Sequence, residues 1–319
     1  MSAAMDLMAR KIFVAGHRGM VGSAVLRKLR AIGHPDILTV EKSAADLRDQ
    51  TATNAFFERE QPEVVILAAA RVGGIQANIA SPGTFLYDNL AIQTNVIHAA
   101  HQSGAARLVF LGSSCIYPTN CPQPMREEYL LTGPLEPTNE AYAIAKIAGM
   151  KMVEYYHRQY GMDGFSLMPC NIYGTNDSFD LQNSHVLSAL VRRFTDAVDD
   201  GVDRVELWGT GRARREFLHV DDLADAILML TERMPGDGGF INVGSGTDIS
   251  IRDLALLIAA KVGYGGEIAW NAEKPDGMLL KCLDVSRIRE MGFQPSVTLE
   301  DGIERTIADY RALKSRSAA

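Results

Sequence analysis

Two short stretches carry residue types that could perform redox chemistry. Gly112-Ser113-Ser114-Cys115 ends an apolar run, and Tyr142-Ala-Ile-Ala-Lys146 lies inside a helical pattern. Side chains four apart on a helix share one face, so the Lys146 ammonium can stand beside the Tyr142 phenol. A neighbouring cation favours the phenolate and lowers a pKa that starts near ~10. Ser113, at a strand end, could hydrogen-bond the same substrate oxygen. The three are equipped to hand a proton to a carbonyl oxygen while hydride reaches its carbon. A tyrosine and lysine at this spacing also describe an ordinary surface helix pair, so the inference needs its neighbours.

A second signal points to a nucleotide. Gly16-His-Arg18-Gly19-Met20-Val21-Gly22 separates a short apolar strand, 11–15, from a helical pattern running from Met20 to Ile32. Glycines there permit a tight turn, close approach to a pyrophosphate and close helix packing, with helix amides facing the phosphates. The strand–turn–helix context is what such a motif requires. Gly16, Arg18, Gly19, Met20, Val21 and Gly22 are therefore cofactor-binding candidates. Glu41 follows about 20 residues on, where a carboxylate binds a ribose 2′-hydroxyl and favours NAD. Lys42 and Arg18 could instead take a 2′-phosphate, so local charge leaves NAD and NADP both open. Asp46-Leu47 could bring a carboxylate to adenine, the alternative being an exposed aspartate.

Alternating strand and helix signals would position these groups. Strands are expected at 37–40, 64–68, 107–111 and 164–169, with helices at 51–60, 84–104 and from Tyr142 to about Tyr160. This rhythm predicts an α/β fold: a Rossmann-type doubly wound parallel sheet whose ligands lie at the carboxyl ends of the strands. Beyond Asn171 it breaks, predicting a smaller C-terminal α/β lobe. The division expected is 10–175 for the dinucleotide domain, with about 215–245 returning to it, and 176–214 plus 246–313 for the substrate lobe. The tail from Lys314 should fray.

Bulk properties narrow the class. With 319 residues, 47% hydrophobic and 22% charged, the chain has the makings of an ordinary globular protein. A formal net charge of −7 argues against nucleic acid as the main partner. No run is long and apolar enough to span a membrane, and residues 1–11 do not read as a secretory signal. Cys115, Cys121, Cys170 and Cys282 lack zinc spacing, so no metal is expected, and reduced thiols in the cytoplasm are the simplest reading.

Taken together, GHRGMVGSA (16–24), AAARVGGI (68–75), HAAHQSG (98–104), FLGSSCIYP (110–118), EPTNEAYAIAKIAGMK (136–151), NSHV (183–186) and REFLHVDD (215–222) are far more specific than any one of them. Nearly the whole chain resembles the extended short-chain dehydrogenase/reductase family, in its GDP-L-fucose-forming branch. That branch epimerises and reduces GDP-4-keto-6-deoxy-D-mannose with NADPH. The resemblance implies that Cys115 and His185 are the acid/base pair of epimerisation, which needs proton transfer on both faces of a carbon next to a ketone. Without it, the cysteine could be core packing and the histidine a helix cap. It adds Ala69, Lys146 and His185 to the NADP(H) contacts. It places Asn171, Arg193, Trp208, Arg215 and Lys281 around the sugar nucleotide, arginine being suited to gripping a diphosphate. It also implies a homodimer through helices 84–104 and 140–161.

The chain departs from the family pattern in three stretches: Asp180-Leu181, Ala213, and Met278-Leu279-Leu280. A related GDP-4-keto-deoxy sugar, a 3,6-dideoxyhexose or a deoxyheptose, is thus an alternative substrate. A module that senses NADP(H) without turnover is the alternative of a different class.

Overall fold

The structure is a computed structural model that describes residues 5–181, 184–274 and 276–318. Asn183 of the 183–186 motif and Pro275 of the departing 274–281 stretch lie outside the described residues. The first half alternates as β1 (Ile12–Ala15), α1 (Met20–Ala31), β2 (Ile37–Leu38), α2 (Gln50–Glu60), β3 (Val64–Leu67), α3 (Ile75–Ala80), α4 (Pro82–Gln102), β4 (Arg107–Leu111), α5 (Glu140–Tyr160) and β5 (Gly164–Pro169). Then follow β6 (Asn171–Tyr173), α6 (Val186–Asp199), β7 (Arg204–Trp208), β8 (Arg214–His219), α7 (Val220–Arg233) and β9 (Asp237–Val243). The chain closes with β10 (Asp248–Ser250), α8 (Ile251–Val262), β11 (Glu267–Asn271), β12 (Leu280–Lys281), α9 (Ser286–Glu290) and α10 (Leu299–Ala318).

Six strands make one parallel sheet in the order β2-β1-β3-β4-β5-β9. Every residue of β1, β3, β4 and β5 is buried, because helices cover both faces and leave no solvated side to alternate with. Phe13 of β1 packs its ring 4.7 Å from Phe56 and 5.7 Å from Phe57 of α2, which locks that helix to the sheet. Each such ring contributes about 2 kcal/mol through burial alone. The strand order reverses between β1 and β3, and a crevice opens at their carboxyl ends.

The second lobe centres on β8, which pairs with β6, β10 and β12, while β7 and β11 form a separate parallel pair. Its own core holds Leu187, Val191 and Phe194 of α6, Leu254 and Ile258 of α8, and Ile303 and Ile307 of α10. Within 215–245, α7 packs on α1 and β9 joins the main sheet, whereas β8 belongs to the second lobe. Two expectations need correction. The strand read at 37–40 is only β2, and the tail is not frayed at Lys314. That lysine stands 2.9 Å from Asp196 and 2.7 Å from Asp199 of α6, which pins the last helix.

Candidate active site

The glycine turn closes around missing side chains. Gly16 has φ +84°, and a Cβ there would lie 2.6 Å from the Ala69 Cα beyond β3. A Cβ on Gly22 would lie 2.2 Å from the Gly16 carbonyl oxygen, so α1 can approach its own turn only with glycine at this position. Gly19 caps α1 with no side chain of its own and donates its N–H to the Gly16 carbonyl at 2.9 Å. Met20 and Val21 form the first turn of that helix. A narrow backbone cradle at a helix N-terminus, over the sheet's switch point, fits a dinucleotide pyrophosphate. Asn176, in left-handed backbone at φ 71°, donates to the Arg18 carbonyl at 2.7 Å and ties this turn to the loop before α6.

The Asp46 carboxylate, the candidate for the adenine, already has a partner. Arg48 grips both carboxylate oxygens of Asp46, at 3.1 and 2.6 Å, and holds its pKa down to about 2. Arg48 also reaches Asp88 at 3.1 Å, so Asp46 belongs to an ion-pair chain. Lys42 lies 3.9 Å from Asp46, and Leu47 is buried beside it.

Ser113, Cys115, Tyr142 and Lys146 converge at the end of β4. Ser113 caps a short 3-10 turn over Ser114–Ile116, accepting the Cys115 N–H at 3.3 Å. Its hydroxyl is also a hydrogen-bonding neighbour of the Tyr142 phenol and the Cys115 thiol. Lys146 is buried and donates to the Leu111 carbonyl at 2.7 Å, with its ammonium 5.7 Å from the Tyr142 ring centre. Phe85 of α4 packs edge-on against Tyr142 at 6.4 Å.

The electrostatics reverse one expectation. Burial, with the Cys115 thiol beside it, pushes the Tyr142 phenol above its ordinary value, and the Ser113 hydroxyl pulls it back only in part. Tyr142 therefore rests as a neutral phenol, which is the form able to donate a proton. Burial lowers Lys146 itself to about 8. It is an ammonium below that pH and loses its charge above it. Reduction measured as kcat/KM should therefore fall as pH rises through about 8, and Lys146→Arg, always charged, should flatten that limb. A profile with no descending limb there would contradict the assignment.

Burial raises the Cys115 thiol, while the Lys281 ammonium and the Ser113 hydroxyl pull it back. Lys281, on β12, stands in register beside Arg215 of β8, and burial lowers both cations. Arg215 donates to the Met278 carbonyl, and Asp276 accepts from the Thr210 N–H and hydroxyl, each at 2.7 Å. The departing 276–280 stretch is thus fastened over this cation pair, and it leaves Leu279 exposed. Ala213, at another departure, is buried and hands its carbonyl to the Ile251 N–H at 2.8 Å.

Other expected residues lie on β6, β7 and α6. Asn171 spends its amide on the Glu216 carbonyl at 2.8 Å and so fastens β6 to β8. Trp208 ends β7, half exposed, with the Lys274 ammonium 5.3 Å from its ring centre. Arg193 lies on α6. His185 caps α6 in extended backbone near the Asp177 carboxylate, which accepts from Ser188 one turn along that helix.

Three positioning groups went unread in the sequence. Gln93 of α4 is buried and donates to the Ala145 carbonyl at 2.6 Å, one residue before Lys146. Glu216 is wholly buried and accepts the Gly246 and Leu283 N–H groups at 2.6 and 2.8 Å. Glu136 lies close enough to Arg215 and Lys281 to act on both. A carboxylate inside the apolar strand Arg215-Glu-Phe-Leu-His was the one available signal, for Glu216.

Comparison with known proteins agrees with this arrangement. Residues 12–244 match the NAD dependent epimerase/dehydratase family. The chain is 51% identical to GDP-L-fucose synthase 1 of Arabidopsis thaliana, over 97% of this chain and 95% of that one. It is 48% identical to GDP-L-fucose synthase of Escherichia coli (strain K12), over 93% and 95% of the two chains. A solved GDP-mannoheptose C4 reductase from Campylobacter jejuni, with NADP bound, superposes with a TM-score of 0.87 at 34% identity, covering 96% of this chain and 99% of that one. With the glycine cradle and the Ser113–Tyr142–Lys146 cluster in place, the chain belongs to the NAD dependent epimerase/dehydratase family of extended short-chain dehydrogenase/reductases, on the branch of the GDP-L-fucose synthases.

Proposed function

We propose that the chain epimerises GDP-4-keto-6-deoxy-D-mannose at C3 and C5 and reduces it at C4, yielding GDP-L-fucose with NADPH as cofactor. The observation that carries this reading is Cys115 sharing the Ser113 hydroxyl with Tyr142. A proton-transfer group and a carbonyl-protonating group thereby address one substrate ketone. NADPH, held by the 16–22 turn, supplies hydride to C4. Ser113 and Tyr142 donate hydrogen bonds to the ketone oxygen and stabilise the enolate formed when a neighbouring carbon loses its proton. Cys115 and His185 take and return protons at those carbons. Tyr142 then protonates the C4 oxygen, and the Lys146 charge supports it. Arg215 and Lys281 take the diphosphate, with Arg193 and Trp208 toward the nucleoside.

One observation favours a second reading. Leu279 is exposed in the fastened 276–280 loop, so an apolar surface borders the cation pair. The same chemistry on a GDP-linked deoxyheptose or 3,6-dideoxyhexose would use it. NADPH oxidation across these keto-sugars separates the readings. Turnover should be at least tenfold faster with GDP-4-keto-6-deoxy-D-mannose after the substrate has epimerised. A faster rate on another sugar moves the assignment to that sugar, and tight cofactor binding with no turnover on any of them marks a sensor.

The helices α4 and α5 pack on one another and leave Tyr87, Ile144 and Tyr155 exposed, a face suited to a homodimer. A monomeric mass in light scattering of the assayed protein would rule that out. Four free thiols suit a reducing compartment, so we place the enzyme in the cytoplasm.

A further inference from the structure

Beyond β2, the Glu41 carboxylate is the hub of a small cluster of charge. Its Oε1 lies 2.9 Å from Arg18 Nε and 3.2 Å from His17 Nε2, both in the glycine turn. Lys42 stands next to it and pairs, more loosely, with Asp46 at 3.9 Å. Because β2 is hydrogen-bonded to β1, the residues just past β2 border the place where the adenosine ribose of a dinucleotide lies.

Two ligand chemistries make opposite demands here. A ribose 2′-hydroxyl is a donor, and a carboxylate at this point accepts its proton. A 2′-phosphate is an anion, which Glu41 repels and Arg18 attracts. Arg18 cannot serve both partners with the same Nε–H. Bound to Glu41 it leaves the carboxylate oriented for the hydroxyl; swung to the phosphate it leaves Glu41 without its cation. The pair is exposed, with side-chain accessibilities of 77% for Arg18 and 42% for Glu41, so either partner can turn away into water. The penalty for exchange is correspondingly small.

We propose that Glu41 sets the nucleotide preference of this chain, holding Arg18 in reserve so that the site accepts NAD(H) as well as NADP(H). The inference rests on the dinucleotide reading of the 16–22 turn and is independent of which sugar is the substrate. Glu41 receives the 2′-hydroxyl in the first case. In the second, Arg18 and Lys42 receive the 2′-phosphate and the Arg18–Glu41 pair opens.

Equilibrium binding without sugar tests it, by calorimetric titration of NADP+ and NAD+ into the wild type, Glu41→Gln and Arg18→Ala. The wild-type affinities should differ by less than about thirtyfold. Glu41→Gln should tighten NADP+ by about tenfold and weaken NAD+ by a similar factor, since the amide neither repels phosphate nor accepts as strongly. Arg18→Ala should weaken NADP+ by at least tenfold and leave NAD+ within about threefold. Raising the salt concentration should weaken NADP+ more than NAD+ in the wild type. Unchanged affinities in Glu41→Gln, with both nucleotides still binding, overturn this inference alone. Binding of neither nucleotide to the wild type overturns the reading of the turn and this inference with it.

Discussion

Replacing Tyr142 by phenylalanine should lower the rate of C4 reduction by about a thousandfold while solvent deuterium still enters the substrate at C3 and C5. The size follows from what the phenol supplies. Tyr142 is a neighbour of the Ser113 hydroxyl, and burial keeps its phenol neutral across the working pH range. Phenylalanine preserves the packing on Phe85 and removes only the proton. Hydride transfer to an unprotonated ketone would create an alkoxide in a dry pocket with Ser113 as the remaining donor. Deuterium exchange should survive because the Cys115 turn is anchored by Ser113, not by Tyr142. Mass spectrometry of recovered substrate reads the exchange, and NADPH absorbance reads the reduction. Full reduction in Tyr142→Phe would remove the tyrosine from its assigned step.

The converse variant separates the other half of the reaction. A Cys115→Ser, His185→Gln protein should lose deuterium entry at both carbons by about ten thousandfold, since each group is worth about a hundredfold or more as acid or base. Serine keeps the size and the turn but is far less acidic than a thiol, even one raised by burial. Glutamine keeps hydrogen bonding at the start of α6 but cannot change its charge. The backbone cradle at Gly16, Gly22 and Ala69 is untouched by either substitution, so NADP+ should still bind to the double variant, weakened only by the loss of the His185 contact. The ketone should still be reduced slowly, giving a product that retains the substrate's C3 and C5 configuration. Persistent exchange would mean that other groups move these protons.

The two halves of the chemistry were unequally visible beforehand. The Ser113, Tyr142 and Lys146 types and spacings, with the glycine turn, announce carbonyl reduction because helix periodicity places such residues locally. The strand-and-helix rhythm of the first half likewise survives into the six-stranded sheet. The short α3 passed unnoticed, since six residues hold too few turns for a periodic pattern to emerge. Cys115 beside Ser113 is visible as a neighbour in the chain; that it shares the serine's hydroxyl with the tyrosine is not.

Charge was the least readable property. From spacing alone, Lys146 beside Tyr142 implies a lowered phenol pKa, and Asp46 reads as a carboxylate either near adenine or exposed. In the fold, burial raises the phenol and Arg48 takes up the Asp46 carboxylate. Neither could be inferred from helix or strand periodicity. The same holds for Arg215 and Lys281, which β8 and β12 bring side by side from distant parts of the chain.

Residue type and local period were enough to reveal which chemical groups are present, and which elements carry them, because those depend on neighbours within a few positions. Which group is charged, which hydrogen bond is already spent and which cation Glu41 pairs with depend on burial and on contacts between elements far apart in sequence. Those emerged only with the tertiary structure, since desolvation and Coulomb energy follow distance in space.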